Sequence, residues 1–144
     1  MSRHKTLVIL GAGNLQKPLL DVSLQAGYKP VVFDAKDKDA STTFHYEYFN
    51  VSIHDPSAII NCLESAKIKP DICATVGTDF TNTMAAINEY FHLAGISPKQ
   101  AAVLQNKVEM RTFLSECGLV QPAFTNGTLK DKDRLYSWLN DNPC

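Results

Sequence analysis

Long hydrophobic runs are missing from this sequence: no apolar stretch approaches the roughly 18 residues that a membrane-spanning helix needs. A basic excess is missing too. The 14 Lys and Arg are offset by 15 Asp and Glu, a formal net charge of -1, and they are scattered among the acids. Neither a row of nucleic-acid phosphates nor an anionic membrane surface is therefore an expected partner. Met1-Ser-Arg-His-Lys5 leads straight into a short apolar segment that ends at Gly11. That segment is too short for a signal-peptide core and has no small-residue cleavage site. Cysteine is sparse and widely spaced (Cys62, Cys73, Cys117, Cys144), without a C-x-x-C pair. The expectation is free, reduced thiols in a cytoplasmic protein. His4, His45, His54 and His92 show no metal-ligand spacing, so zinc is not expected. Internal repeats and low-complexity stretches are also absent.

What is present is an ordinary globular composition, 44% hydrophobic and 20% charged, over 144 residues. That length allows one domain with a proper core and is too short for two large ones. Thr6–Leu10 is a continuous apolar run, of the kind found where a parallel strand is covered by helices on both faces. A helix is expected over Asn14–Ala26, with Pro18 tolerated in the first turn and Gly27 ending it. Pro30–Asp34 reads as a second buried strand and His45–Val51 as a third, edge strand. Asp55-Pro56 starts a helix that runs to about Ala66, because Asp caps and Pro fits the first helical position. Asp71–Val76 is a fourth strand, halted by Gly77.

Helices are then expected over Thr81–Leu93, ended by Gly95, and from the Ser97-Pro98 cap to about Leu104. Asn106 caps another, with Glu109 in capping-box position and Gly118 at its end. Its Met110, Phe113, Leu114 and Cys117 recur at helical spacing and are expected to face a core. Ala123–Thr125 and Asp131–Asn140 suggest a further strand and helix. Strands alternating with helices from a buried first strand indicate an α/β, Rossmann-like, doubly wound parallel sheet.

Three segments are candidates for binding. Gly11-Ala-Gly-Asn-Leu-Gln16 joins the first strand to the first helix, whose N-terminal amides and partial positive charge suit an anion. Asp34 follows Gly13 by 21 residues, where a dinucleotide-binding fold keeps its ribose-binding acid. An NAD(P)-binding oxidoreductase domain is therefore one reading. Against it, Gln16 replaces the third glycine of the fingerprint, and its bulk enters the space of the pyrophosphate. The glycines also fit a plain strand-to-helix turn with no ligand. Val76-Gly-Thr-Asp79 follows the fourth strand, and strands one and four should flank the point where strand order reverses, so Thr78 and Asp79 would face the same crevice. Equally, both can serve as helix caps. Lys107, one place after a cap, is either a solvated lysine or a cation reaching back to an anion.

Taken together, Gly-Ala-Gly-Asn-Leu-Gln (11–16), Gly-Thr-Asp (77–79), Asn-Lys-Val-Glu-Met-Arg-Thr-Phe-Leu (106–114) and Gly-Leu-Val-Gln-Pro-Ala-Phe (118–124) resemble ATP-grasp enzymes. The likeness is to carbamoyl-phosphate-synthase-like and carboxylate–amine ligase members. It implies a pre-ATP-grasp domain over residues 1–96, connecting helices over 97–119 and the opening of an ATP-grasp domain over 120–144, truncated before its lysine-bearing strand. It further implies that Gly11, Gly13, Asn14, Gln16, Asp34, Thr78 and Asp79 shape the site of a small carboxylate or amine substrate, and that Lys107 contacts ATP phosphates. One departure is Asn106, where many members have an acid. For the whole enzyme the resemblance implies ATP and Mg²⁺, with the magnesium ligands outside these residues, and acyl-phosphate chemistry that this piece alone would not perform. A non-catalytic nucleotide-binding module and self-association into a homodimer remain open on the sequence.

Overall fold

The computed structural model describes residues 4–37, 46–77 and 80–142. They belong to two compact units, Met1–Gln105 and Asn106–Cys144.

The first unit is built on a four-stranded parallel sheet in the order β3-β2-β1-β4. Its strands are β1 (Thr6–Leu10), β2 (Lys29–Asp34), β3 (Glu47–Asn50) and β4 (Ile72–Ala74). The apolar runs anticipated as strands therefore are strands, and β1 is buried at every position. Alternation along the strands decides which face each side chain serves. Val8, Leu10, Val31, Phe33 and Cys73 meet α2 (Pro56–Ser65) and α3 (Thr81–Tyr90) through Ile59, Leu63 and Ile87. Leu7, Ile9 and Val32 point the other way and meet Leu20 of α1 (Lys17–Gln25), with Leu19, Leu24 and three tyrosines at the margin. Helices on both faces make the sheet doubly wound. Burying one such apolar side chain contributes about 1.5–3 kcal/mol, and nine large ones are fully buried among the described residues.

Local signals account for the helix ends. The Asp55 side chain accepts from the Ala58 amide at 2.9 Å, and Pro56 opens α2. Helix α3 stops sooner than Gly95: it ends at Tyr90, and His92 takes the left-handed φ of 55° that closes it. Gly95 serves a different purpose, since a Cβ there would lie 2.3 Å from Asn88 Nδ2. Helix α4 (Pro98–Gln105) packs on α3 with Ala101 buried, and Asn82 donates to Gln105 across the pair.

In the second unit, Asn106 caps α5 (Lys107–Glu116) by accepting from the Val108 and Glu109 amides, and Gly118 follows the helix at φ 70°. Gln121 donates to the Arg111 carbonyl and to Ser115 Oγ, bringing the returning chain alongside α5. Thr128 and Asp131 form a reciprocal capping box ahead of α6 (Lys132–Asp141).

Two expectations fail in this unit. Ala123–Thr125 is not a strand, because a strand needs a partner for its backbone groups and no strand is found among the unit's described residues. No residue of α5 is buried either, and Phe113 is 53% exposed. Its apolar spacing marks a face without a core behind it.

Candidate functional site

All four strands run the same way, so Leu10, Asp34, Asn50 and Ala74 end at one edge of the sheet. The chain builds outward from β1 to β2 and β3, then returns to place β4 on the other side of β1. Strand order reverses between β1 and β4, where open α/β sheets bind their ligands.

The turn after β1 begins at Gly11, whose φ of 97° is one that residues with side chains rarely adopt. Its amide donates to the Phe33 carbonyl at 2.8 Å. The next amide, Ala12, donates to Asp34 Oδ2 at 2.7 Å, while Asp34 Oδ1 accepts from the Lys36 amide at 2.9 Å. Each Asp34 oxygen thus fixes backbone, one at the glycine turn and one just after β2. Gly13 and Asn14 are exposed on the outside of the turn. The amides of Gly13, Asn14 and Leu15 find no acceptor among the described residues, which leaves them free for an anion at the start of α1.

Gln16 behaves unlike its neighbours. It is only 6% exposed, and its Nε2 donates to the Val76 carbonyl at 2.5 Å, across the β1–β4 switch point. Its side chain also lies against the turn, with Oε1 2.9 Å from where a Cβ on Gly13 would stand and Cδ 3.3 Å from one on Gly11. With its amide engaged on Val76, just after β4, Gln16 caps α1 without a side-chain hydrogen bond, and the helix starts at Lys17, three residues later than its apolar pattern indicated. Leu15 completes the junction. A Cβ on Gly77 would come within 2.9 Å of Leu15 Cδ1, and Gly77 has a φ of 65°. Thr75 Oγ1 donates to the Leu10 carbonyl at 2.9 Å, a further tie between β4 and β1.

Beyond Asp34 the edge continues polar. Asn50 donates to Asp37 at 2.9 Å, and the Tyr48 hydroxyl donates to the Lys36 carbonyl. Burial first, and then Asp34, Tyr46 and Asp37, hold the Tyr48 phenol above its usual pKa, so it remains a neutral donor.

The structure therefore brings Gly11, Gly13, Asn14, Gln16 and Asp34 together at one edge. Thr78 and Asp79 lie outside the described residues. Lys107 is exposed at the first position of α5, in the second unit. Sequence reading missed Asp37, Tyr48, Asn50 and Thr75, which have no motif around them and are connected to the site only by their places at or near strand ends, while Leu15 lay inside the glycine motif without being singled out. Among the described residues no cluster of His, Cys, Asp and Glu is suited to a metal ion, and no helix is long and apolar enough to cross a membrane. Cys62, Cys73 and Cys117 are free thiols. A cleft of about 570 Å³, lined by His4, Leu24, Tyr28, Lys29, Tyr46 and Glu47, opens at the opposite, amino edge of the sheet.

No family model matches the chain, and no curated protein is significantly similar to it in sequence. Solved structures do share its fold. Phosphoribosylglycinamide synthetase from Anaerococcus prevotii matches at TM-score 0.72 and 18% identity, covering 94% of this chain and 35% of its own. L-amino acid ligase from Bacillus licheniformis matches at TM-score 0.73 and 20% identity, covering 91% and 35%. N5-carboxyaminoimidazole synthetase from Staphylococcus aureus, solved with ADP, matches at TM-score 0.68 and 19% identity, covering 92% and 35%. The chain spans about a third of the length of these structures. The likeness is one of fold, an α/β fold with a parallel sheet that these synthetase and ligase structures share.

Proposed function

We propose that this chain is the substrate-site domain of a cytoplasmic ATP-grasp ligase, together with the opening of its ATP-binding domain. The observation that carries the reading is the extent of the structural likeness. At 91–94% of the chain it takes in residues of both units, and the matched proteins are a ligase and two synthetases. In the reaction we infer, a carboxylate oxygen attacks the γ-phosphate of ATP, giving an acyl phosphate and ADP. An amine then attacks the acyl carbon, loses a proton and displaces phosphate, forming an amide. Magnesium and cationic side chains stabilise the charge on the transferring phosphoryl group.

Within this scheme the edge built by Gly11, Gly13, Asn14, Gln16 and Asp34 holds the small carboxylate or amine substrate, and Thr78 and Asp79 are assigned the same role from the sequence. Its turn offers outward amides for an anionic group. Lys107, exposed at the first position of α5, contacts ATP phosphates. Neither a nucleic acid nor a membrane is a partner in this reading. A homodimer is compatible with it.

The test is phosphate release by the protein expressed from its uninterrupted gene, supplied with magnesium, ATP and a panel of carboxylates and amines. Release that requires both a carboxylate and an amine supports the reading. Lys107→Ala should then raise the KM for ATP with the melting temperature unchanged, while residues 1–144 alone should release no phosphate. An absence of release across the panel, combined with micromolar NADH binding, would replace the ligase with an oxidoreductase.

A further inference from the structure

We propose that Gln16 decides what the glycine turn can accept, closing it to ligands that carry a diphosphate bridge, such as dinucleotides. The proposal rests on the reading of this turn as a substrate site and narrows its ligand class to molecules without such a bridge. Gly11, Gly13 and Gln16 stand at the three fingerprint positions of a dinucleotide fold, where the third glycine leaves room for the pyrophosphate and for close helix–strand packing.

Here that room is filled from within. The Gln16 side chain is buried, leans on both glycines and is held at its far end by the Val76 carbonyl. A side chain anchored at both ends cannot swing aside without leaving the Val76 carbonyl and its own amide to find new partners. Abandoning a buried hydrogen bond costs about 1–3 kcal/mol, so a diphosphate would have to displace the amide before gaining any contact of its own. Leu15 seated on Gly77 closes the same junction from the outer side. The exposed amides of Gly13 and Asn14 lie outside this plug, so a single phosphate or carboxylate could reach them without moving Gln16.

The experiment compares the wild-type chain with Gln16→Gly and Gln16→Met, titrating each with NADH by fluorescence and with inorganic pyrophosphate by calorimetry. Methionine keeps nearly the volume of glutamine and lacks its hydrogen bond, which separates the filled space from the lost tie. Wild type and Gln16→Met should show no saturable binding. Gln16→Gly should bind at least one of the two probes about tenfold or more tightly. If Gln16→Gly does not fold, Gln16→Ala takes its place and should gain in the same direction. A folded small-residue variant with no gain for either probe would overturn the proposal, as would an equal gain in Gln16→Met. Failure of the ligase reading shows elsewhere, in the phosphate-release assay on wild-type protein.

Discussion

Replacing Gly11 with Ala puts a methyl group into the one turn on which the candidate site depends. Two costs are expected, and they can be separated. The first is conformational: at φ 97° an alanine sits in a sparsely populated region, which costs about 1–3 kcal/mol. Restricting the unfolded chain returns about 0.4–1 kcal/mol of this. The second is steric. The new Cβ would stand 3.3 Å from Gln16 Cδ and 3.4 Å from Cγ, so Gln16 must retreat by a few tenths of an ångström against its tie to Val76. Overpacking of that kind costs about 1–3 kcal/mol. The net destabilisation should be about 2–4 kcal/mol, a fall in melting temperature on the order of 10–20 °C for a unit of this size. Thermal and urea unfolding, followed by circular dichroism, would measure it. The decisive comparison is a double-mutant cycle with Gln16→Ala, which removes the neighbour and leaves φ alone. In that background Gly11→Ala should cost at least ~1 kcal/mol less. An identical cost in both backgrounds would refute the contact, and with it the view of Gln16 as a plug.

Further outcomes are expected elsewhere in the chain. Gly95→Ala should destabilise the first unit by about 1–3 kcal/mol, because its Cβ would strike the buried Asn88 amide 2.3 Å away; chemical denaturation of Gly95→Ala with and without Asn88→Ala checks it, and equal losses would rule the clash out. Burial pushes the Cys73 thiol up to about 12, so iodoacetamide at pH 8 should modify exposed Cys117 and spare Cys73 until the protein unfolds, as read by peptide mass spectrometry. The same shift means that the stability from burying Cys73 is complete below the ordinary thiol pKa of 9.0 and is lost as pH rises towards 12. Hydrogen bonds from the Thr128 backbone and side chain hold the Asp131 carboxyl below its ordinary range, so the capping box at Leu129–Asp131 should persist at mildly acidic pH and fail only as pH falls through that lowered value, seen as faster exchange of the Thr128 amide.

Much of this architecture is written locally. The run Thr6–Leu10, four consecutive apolar residues after a threonine, calls for a strand covered on both faces, and the structure covers both. Asp55-Pro56 and Asn106 specify helix starts from within one turn of the chain, and the switch point between β1 and β4 follows from the order of elements. The tertiary structure decided what depends on distant partners. Gln16 could be recognised in sequence as a bulky replacement for glycine, yet its direction was set by a carbonyl 60 residues away. Asp34 could be placed at a strand end, whereas its engagement by Ala12 and Lys36 required the turn to be folded around it. The apolar spacing of α5 and the β-prone Ala123–Thr125 both called for neighbours, and neither a covering core nor a pairing strand is present among the described residues of that unit. Hydrophobic periodicity says which side of an element seeks burial; only the assembled chain supplies the surface that buries it.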